Sequence, residues 1–368
     1  MGTSIQYVLG DIRKMKILFV PTLNAPCVFY RMENFVKYLR RMGNEVAFTY
    51  WGPDFKLSCF WEKDMTPEFI EEINELVYQS EIVIFQGIHT QKAIALILAL
   101  QEAHKRPILA EYDDNPYSVN SGSPNLEFVG PGTSVELWSD EQIKKSHGVI
   151  VTTDYLKRIF APKNSKVFVI PNSIDFEIWD KLKTKKRKDK HIKIGWEGGQ
   201  GHQINLRLIK NVVPRILDKF PNVVFHFKHG GYEVPYLKHK RVIFEDYHSW
   251  VNVNEYPQKL KDMNSDICIA PLRDLEFNRC RSNLRWLEAS ALKIPMVASD
   301  VEPYKCIKHG KDGFLVKEED EWVECLSKLI EDEYLRKHMG QMSYDRIKRD
   351  YNVETNAKLY LDVLKGFI

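Results

Sequence analysis

Arg281, Ser282, Asn283, Leu284, Arg285 and Glu288 lie within one short stretch, so cations, a hydroxyl, an amide and a single carboxylate share a loop and the helix that follows it. These residue types suit an anion with a sugar attached. Free backbone N–H groups at a helix start, flanked by guanidinium groups, stabilise a phosphate or diphosphate. Glu288, about a turn and a half into the helix, can accept hydrogen bonds from a ribose diol. Arg273 and Arg279 add positive charge just upstream. A capped surface helix with scattered arginines would carry the same residues, so the surrounding elements have to decide between the two.

Those elements are an apolar run at 267–270 before the loop, a helical pattern at 283–292 and a second apolar run at 294–298. This strand, loop, helix and strand order places the loop at the carboxyl end of a strand, where open α/β sheets hold ligands. The same alternation fills the chain. Strands are expected at 16–20, 46–50, 82–85, 107–111, 148–152 and 166–170, then at 192–196, 223–228, 241–244, 267–270, 294–298 and 314–316. Helical patterns separate most of them, at 29–42, 66–79, 90–104, 139–146, 154–160, 203–219, 255–263, 283–292 and 320–330. Repeated βα alternation predicts parallel sheets with crossover helices, and 368 residues are enough for two such domains.

The expected organisation is an N-terminal extension over 1–14, a Rossmann-like domain over 15–175, a basic linker over 176–191, a second Rossmann-like domain over 192–350 and a terminal helix over 351–368. Eight lysines and arginines crowd residues 180–193, which makes this either a solvated linker or a surface for anionic lipid or nucleic acid. No aromatic residues are interleaved there, which argues against nucleic acid.

Composition excludes several classes. A hydrophobic share of 44% with 28% charged residues is that of a packed globular protein, and a net charge of +3 demands no polyanionic partner. Cys27, Cys59, Cys268, Cys280, Cys306 and Cys325 form no Cys-x-x-Cys pair and read as reduced thiols. With no apolar run near 20 residues and no leader pattern, the chain is expected to be cytoplasmic, with peripheral contact at the inner membrane surface left open.

Two further loops belong to the same sheet edge. Gly198 and Gly199, in the run GWEGGQGH, allow a ligand to approach the backbone after the strand 192–196, although their spacing is not that of a dinucleotide fingerprint. Lys228 closes the next strand before Gly230 and Gly231, which are either part of a ligand loop or a structural turn.

The order of elements, the IPNSID linker, the GWEGGQGH turn and the segment RSNLRWLEASALKIPMVASDVEPY followed by HGKDGFLV resemble the retaining GT-B-fold glycosyltransferases of family 4. The resemblance runs from Met15 to the end. It implies two Rossmann-like domains facing across a cleft, with the nucleotide of a UDP- or GDP-linked sugar in the second and the acceptor in the first. The acceptor would be a glycan, a lipid-linked sugar or a small molecule, and the sugar would move to its hydroxyl with retained configuration. In the family two glutamates, the first contacting sugar and the second ribose, bracket this helix start. Glu288 matches the second and Cys280 stands at the first. Arg281, Ser282, Asn283, Leu284 and Arg285 correspond to a basic-Ser-x-x-basic variant that would hold the diphosphate.

The resemblance also directs attention to the end of the strand 107–111, where relatives place a histidine and this chain has Asp113 and Asp114. These are either catalytic carboxylates, acting as base or stabilising an oxocarbenium-like centre, or a turn pair. His89 is either a cleft residue or a structural histidine. Tyr30 and Arg31 resemble a Tyr-Arg variant of the family's first loop, where Arg31 would contact acceptor or phosphate, or neither. No metal and no cofactor beyond the donor are expected. Two alternatives remain: the same fold acting on a hydroxymethylated DNA base, and a non-catalytic module binding nucleotide sugar or protein.

Overall fold

In the computed structural model of the protein, residues 14–21, 26–49, 66–87, 90–118, 130–187, 189–229, 234–246 and 255–368 are described. His89, Gly230, Gly231, Cys59 and almost all of the N-terminal extension lie outside them.

Two six-stranded parallel sheets form the frame. The first contains β1 (Lys16–Val20), β2 (Glu45–Phe48), β3 (Ile82–Gln86), β4 (Ile108–Tyr112), β5 (Gly148–Val151) and β6 (Val167–Val169), ordered β2-β1-β3-β4-β5-β6. The second contains β7 (Ile192–Gly198), β8 (Val223–His229), β9 (Val242–Asp246), β10 (Ile267–Ala270), β11 (Met296–Ser299) and β12 (Phe314–Val316), ordered β12-β11-β10-β7-β8-β9. The order in which successive strands are added reverses between β1 and β3 in the first sheet and between β7 and β10 in the second. A crevice opens at the carboxyl ends of strands at such a switch point. The loops carrying Gly198–Gly199 and Arg281–Glu288 therefore flank the crevice of the second sheet.

β3 and β4 are buried along their whole length, as strands covered by helices on both faces must be. The helix Val353–Lys365 returns to the first sheet, where Val353, Ala357, Tyr360, Leu361 and Leu364 pack with Ile17, Phe19 and Phe35. A separate apolar cluster joins the domains, bringing Phe29, Tyr30, Phe176 and Trp179 against Trp286, Leu287 and Tyr304.

Two helices differ from expectation. The pattern at 203–219 resolves into a 3-10 segment, Gln200–Ile209, and a helix, Val212–Lys219. Pro214 has no N–H to donate and fits only in a first turn, so a new helix starts at Val212. The helix Glu333–Asp350 has no counterpart in the apolar pattern, because Gly340 and Ser343 occupy part of its buried face.

Candidate functional site

The loop that leaves β10 at Ala270 is pinned by Asn205, whose Oδ1 accepts from the Arg273 amide at 3.1 Å and from Asn278 Nδ2 at 3.1 Å. A short helix, Glu276–Arg279, follows, and then the helix Leu284–Ala291. Asn283 is the residue that precedes this second helix, yet no side chain caps its amides. The Asn283 amide group contacts Cys306 Sγ at 3.3 Å instead. The Ser282 hydroxyl accepts from Asn172 Nδ2 at 2.8 Å rather than capping the turn. The helix start thus keeps its first-turn N–H groups free of side-chain caps, the condition under which it attracts an anion.

Positive charge collects beside it. The Arg281 guanidinium lies 4.7 Å from the centre of the Phe277 ring, and its Nε is buried with no hydrogen-bond partner. Arg285 stacks on Trp196 at 5.5 Å and donates to Glu197 Oε2 at 3.0 Å. This stack explains Gly198: a Cβ there would stand 2.5 Å from the Trp196 ring and 3.1 Å from Arg285 Nη2. Gly199, with nothing within 4 Å of a built Cβ, faces open space. Burial and then the nearby Arg281 and Arg285 hold the His202 imidazole well below its ordinary range, so it is neutral.

Glu288 is buried on the inner face of the helix. Its Oε1 accepts from the Tyr30 hydroxyl of the first domain at 2.9 Å, and its Oε2 lies 3.5 Å from the Tyr256 hydroxyl, which also donates to Glu197 at 2.9 Å. Burial, reinforced by the Glu197 charge, lifts the Glu288 carboxyl to about 8, against the lowering effects of Arg285 and the two tyrosines.

The first domain supplies the opposite wall. Asp113 follows β4, and burial with the charges of Asp114 and Glu111 raises its carboxyl to about 7. Asn115, two residues on, donates to Cys280 Sγ at 3.3 Å, which brings the end of β4 against the donor loop. Cys280 itself is fully buried in an apolar cluster with Tyr112 and Phe160, and burial lifts its thiol to about 12. A residue so enclosed offers nothing to a sugar.

Several expected site residues sit together here: Gly198, Gly199, Arg281, Ser282, Asn283, Leu284, Arg285 and Glu288 on the second domain, and Asp113, Asp114 and Tyr30 on the first. Arg31 does not join them. Its guanidinium is fully buried, paired with Glu111 at 2.5 Å and donating to the Ile170 carbonyl at 2.7 Å and Asn172 Oδ1 at 3.1 Å. It has no exposed surface, although its Nη2 is buried without a hydrogen-bond partner, and a π-helical turn over Phe29–Glu33 places Tyr30 on the interdomain face and Arg31 in the interior of the first domain. Lys228 is buried and paired with Glu245 at 2.7 Å, and Arg279 is paired with Asp274 at 2.6 Å, which leaves neither as an open phosphate ligand. Glu197, Tyr256 and Asn172 were missed. Glu197 stands inside the glycine run, whereas nothing in the sequence marks Tyr256.

Two doubly wound domains that meet across a crevice, with an uncapped helix start and arginines on one wall, define the GT-B architecture. Residues 194–332, less than half of the chain, match the model of the family described as glycosyl transferases group 1. Over 167 residues, 44% of the chain, it is 27% identical to trehalose synthase of Thermococcus litoralis, and it spans only 39% of that relative's length. The crystal structure of HepE from Anabaena in complex with UDP-glucose superposes with a TM-score of 0.65 at 14% identity, covering 96% of this chain and 100% of that one. TarM of S. aureus superposes with a TM-score of 0.59 at 19% identity, covering 80% and 57%. At these identities the solved structures establish the fold.

Among the described residues no helix is long and apolar enough to cross a membrane, and no group of three or more His, Cys, Asp or Glu residues is arranged to hold a metal ion. The five cysteines among the described residues are free thiols. The basic linker is partly ion-paired to the second domain, with Lys185 to Asp262 and Arg187 to Asp266, both at 2.5 Å.

Proposed function

We propose that the protein transfers a sugar from a nucleotide diphosphate sugar, UDP- or GDP-linked, to a hydroxyl of a glycan, lipid-linked sugar or small molecule, with retention of anomeric configuration. The observation that carries this reading is the buried, unpartnered Arg281 Nε beside the uncapped start of the helix Leu284–Ala291. A donor diphosphate would satisfy both, and the ribose diol would hydrogen-bond to Glu288. HepE, whose structure holds UDP-glucose, shares the architecture.

As the glycosidic bond to the diphosphate breaks, negative charge grows on the leaving oxygens. Arg281 and the helix start would stabilise that charge more in the transition state than in the ground state, without a metal ion, while Arg285 stays paired with Glu197 at 3.0 Å. Asp113, ionised, would stabilise the positive charge at the anomeric carbon or take the acceptor proton. Contact between the domains excludes water and so disfavours hydrolysis. The ion-paired linker gives a DNA acceptor no support.

The test is a panel of UDP- and GDP-sugars with product NMR. A transferred sugar with the donor's anomeric configuration supports the reading, as does a loss of turnover of about a hundredfold or more in Glu288→Ala, the scale of losing a transition-state contact and its neighbours. Full turnover in that variant would sink it.

A further inference from the structure

The donor crevice lies at the carboxyl edge of the second sheet. At the opposite, amino edge, where residues 265–266 lead into β10 and 294–295 into β11, lies a cavity of about 440 Å³. Arg187, Lys261, Lys293 and Arg336 line it from four separate segments: the basic linker, the helix Tyr256–Asp262, the turn after the helix Leu284–Ala291, and the helix Glu333–Asp350.

Its lining carboxylates are already engaged, Asp266 with Arg187 at 2.5 Å and Glu333 with Lys337 at 2.6 Å. Neither Lys261 nor Lys293 has a carboxylate partner among the described residues. Lys293 rests its ammonium 4.5 Å from the centre of the Tyr344 ring. Lys261 is held below the ordinary lysine range by burial first and by Lys293 second.

The backbone adds an independent observation. Lys293 occupies the left-handed region, φ 59°, in a turn pressed against the helix Glu333–Asp350 so closely that a Cβ on Gly340 would stand 2.1 Å from the Lys293 carbonyl oxygen. Glycine takes this conformation without strain. Here the left-handed residue closes the helix Leu284–Ala291, with the Lys293 amide donating to the Ser290 carbonyl at 2.9 Å and the Ile294 amide to the Ala289 carbonyl at 2.9 Å, and the turn fixes Lys293 beside Lys261.

We propose that this cavity is a second anion site, separate from the donor crevice, for a small solute carrying two or more phosphate groups. Lys261 and Lys293, side by side and without a carboxylate partner among the described residues, can match more than one phosphate oxygen at once, whereas Arg187 is held by Asp266 and Arg336 by the Leu329 and Ile330 carbonyls, so these two frame the cavity. The helix Leu284–Ala291 starts at the crevice and ends at Lys293, so one rigid element separates the two sites.

Isothermal titration of the full chain with inorganic pyrophosphate at low salt tests this. Two sites are expected in the wild type. The variant K261E/K293E should weaken one of them about tenfold or more and leave the other, and R281A should do the reverse. The neutral variant K261Q/K293Q, with thermal unfolding recorded for each protein, separates charge from folding. Two undiminished sites in K261E/K293E would overturn the proposal while leaving the donor reading intact; loss of the Arg281 site alone from expectation would do the opposite. Sedimentation with vesicles of anionic phospholipid, abolished by K261E/K293E in a protein that binds no pyrophosphate there, would overturn the solute form in favour of a lipid headgroup.

Discussion

The Tyr30 hydroxyl donates to Glu288 Oε1 at 2.9 Å, joining the π-helical turn Phe29–Glu33 of one domain to the helix Leu284–Ala291 of the other. This bond lowers a carboxyl that burial and Glu197 raise. Tyr30→Phe should therefore push Glu288 further up. A ribose diol is held by the ionised form, so the pH midpoint of nucleotide binding should rise above that of the wild type, measured by titration calorimetry from pH 6 to 9. Loss of the bond should also cost about 1–2 kcal/mol of stability in denaturant unfolding. An unmoved midpoint would show that Glu288 is not the ribose ligand.

Asp113 gives a second pH dependence of the same sign. Burial with Asp114 and Glu111 raises its folded-state value to about 7, above the roughly 3.9 of an unfolded aspartate. Its contribution to stability is present below the unfolded value and is lost as pH rises through about 7. Activity should run the other way, rising through about pH 7 as the carboxylate ionises. In Asp113→Asn the rise in rate should vanish, together with part of the stability loss between pH 5 and 8. A rate profile unchanged in shape would remove Asp113 from the chemistry.

Arg31 and Glu111 form a fully buried pair, so removing one partner leaves a charge without compensation. Arg31→Met should cost about 3–5 kcal/mol at pH 8. Part of this should return at pH 5, where Glu111 can be protonated and needs no cation. Urea unfolding at both pH values checks it; a cost independent of pH would mean that the arginine acts through packing alone.

The family resemblance puts Cys280 at the position where a sugar-binding glutamate is expected. Because its side chain is enclosed by Tyr112 and Phe160, restoring the acid in Cys280→Glu should not restore a sugar contact. It should bury an unpaired carboxylate at a cost of several kcal/mol, lowering Tm by about 5 °C or more. A variant as stable as the wild type with faster turnover would reverse this conclusion.

The strand positions were legible because each strand is an apolar run bounded by turns, and the observed strands fall within a few residues of the expected ones. The loop and helix start at 281–288 stood out for a similar reason: Arg281, Ser282, Arg285 and Glu288 lie within one short stretch of sequence. Contacts between distant elements were not. The Tyr30–Glu288 bond links residues 258 positions apart, and the burial of Arg31 depends on a π-helical turn that no periodicity announces. Cys280 reads as a site residue by position and as a core residue only once the domains are packed together. The helix Glu333–Asp350 escaped because its buried face includes Met339, Gly340, Ser343 and Tyr344, which is too polar a mixture to register as an apolar stripe.

The returning helix Val353–Lys365 carries a consequence for timing. Its buried face completes the core of the first domain, and its entry is tied to the outgoing linker, with the Ile174 amide donating to the Tyr351 carbonyl at 2.8 Å and the Val353 amide to the Ile174 carbonyl at 3.1 Å. On a ribosome, residues 176–352 are made between the two halves of that core, an interval of roughly 10–35 s at ordinary elongation rates. Nascent chains stalled before Val353 should leave the first domain open to protease while the second is already resistant. The domain that begins first would thus be the one that finishes last.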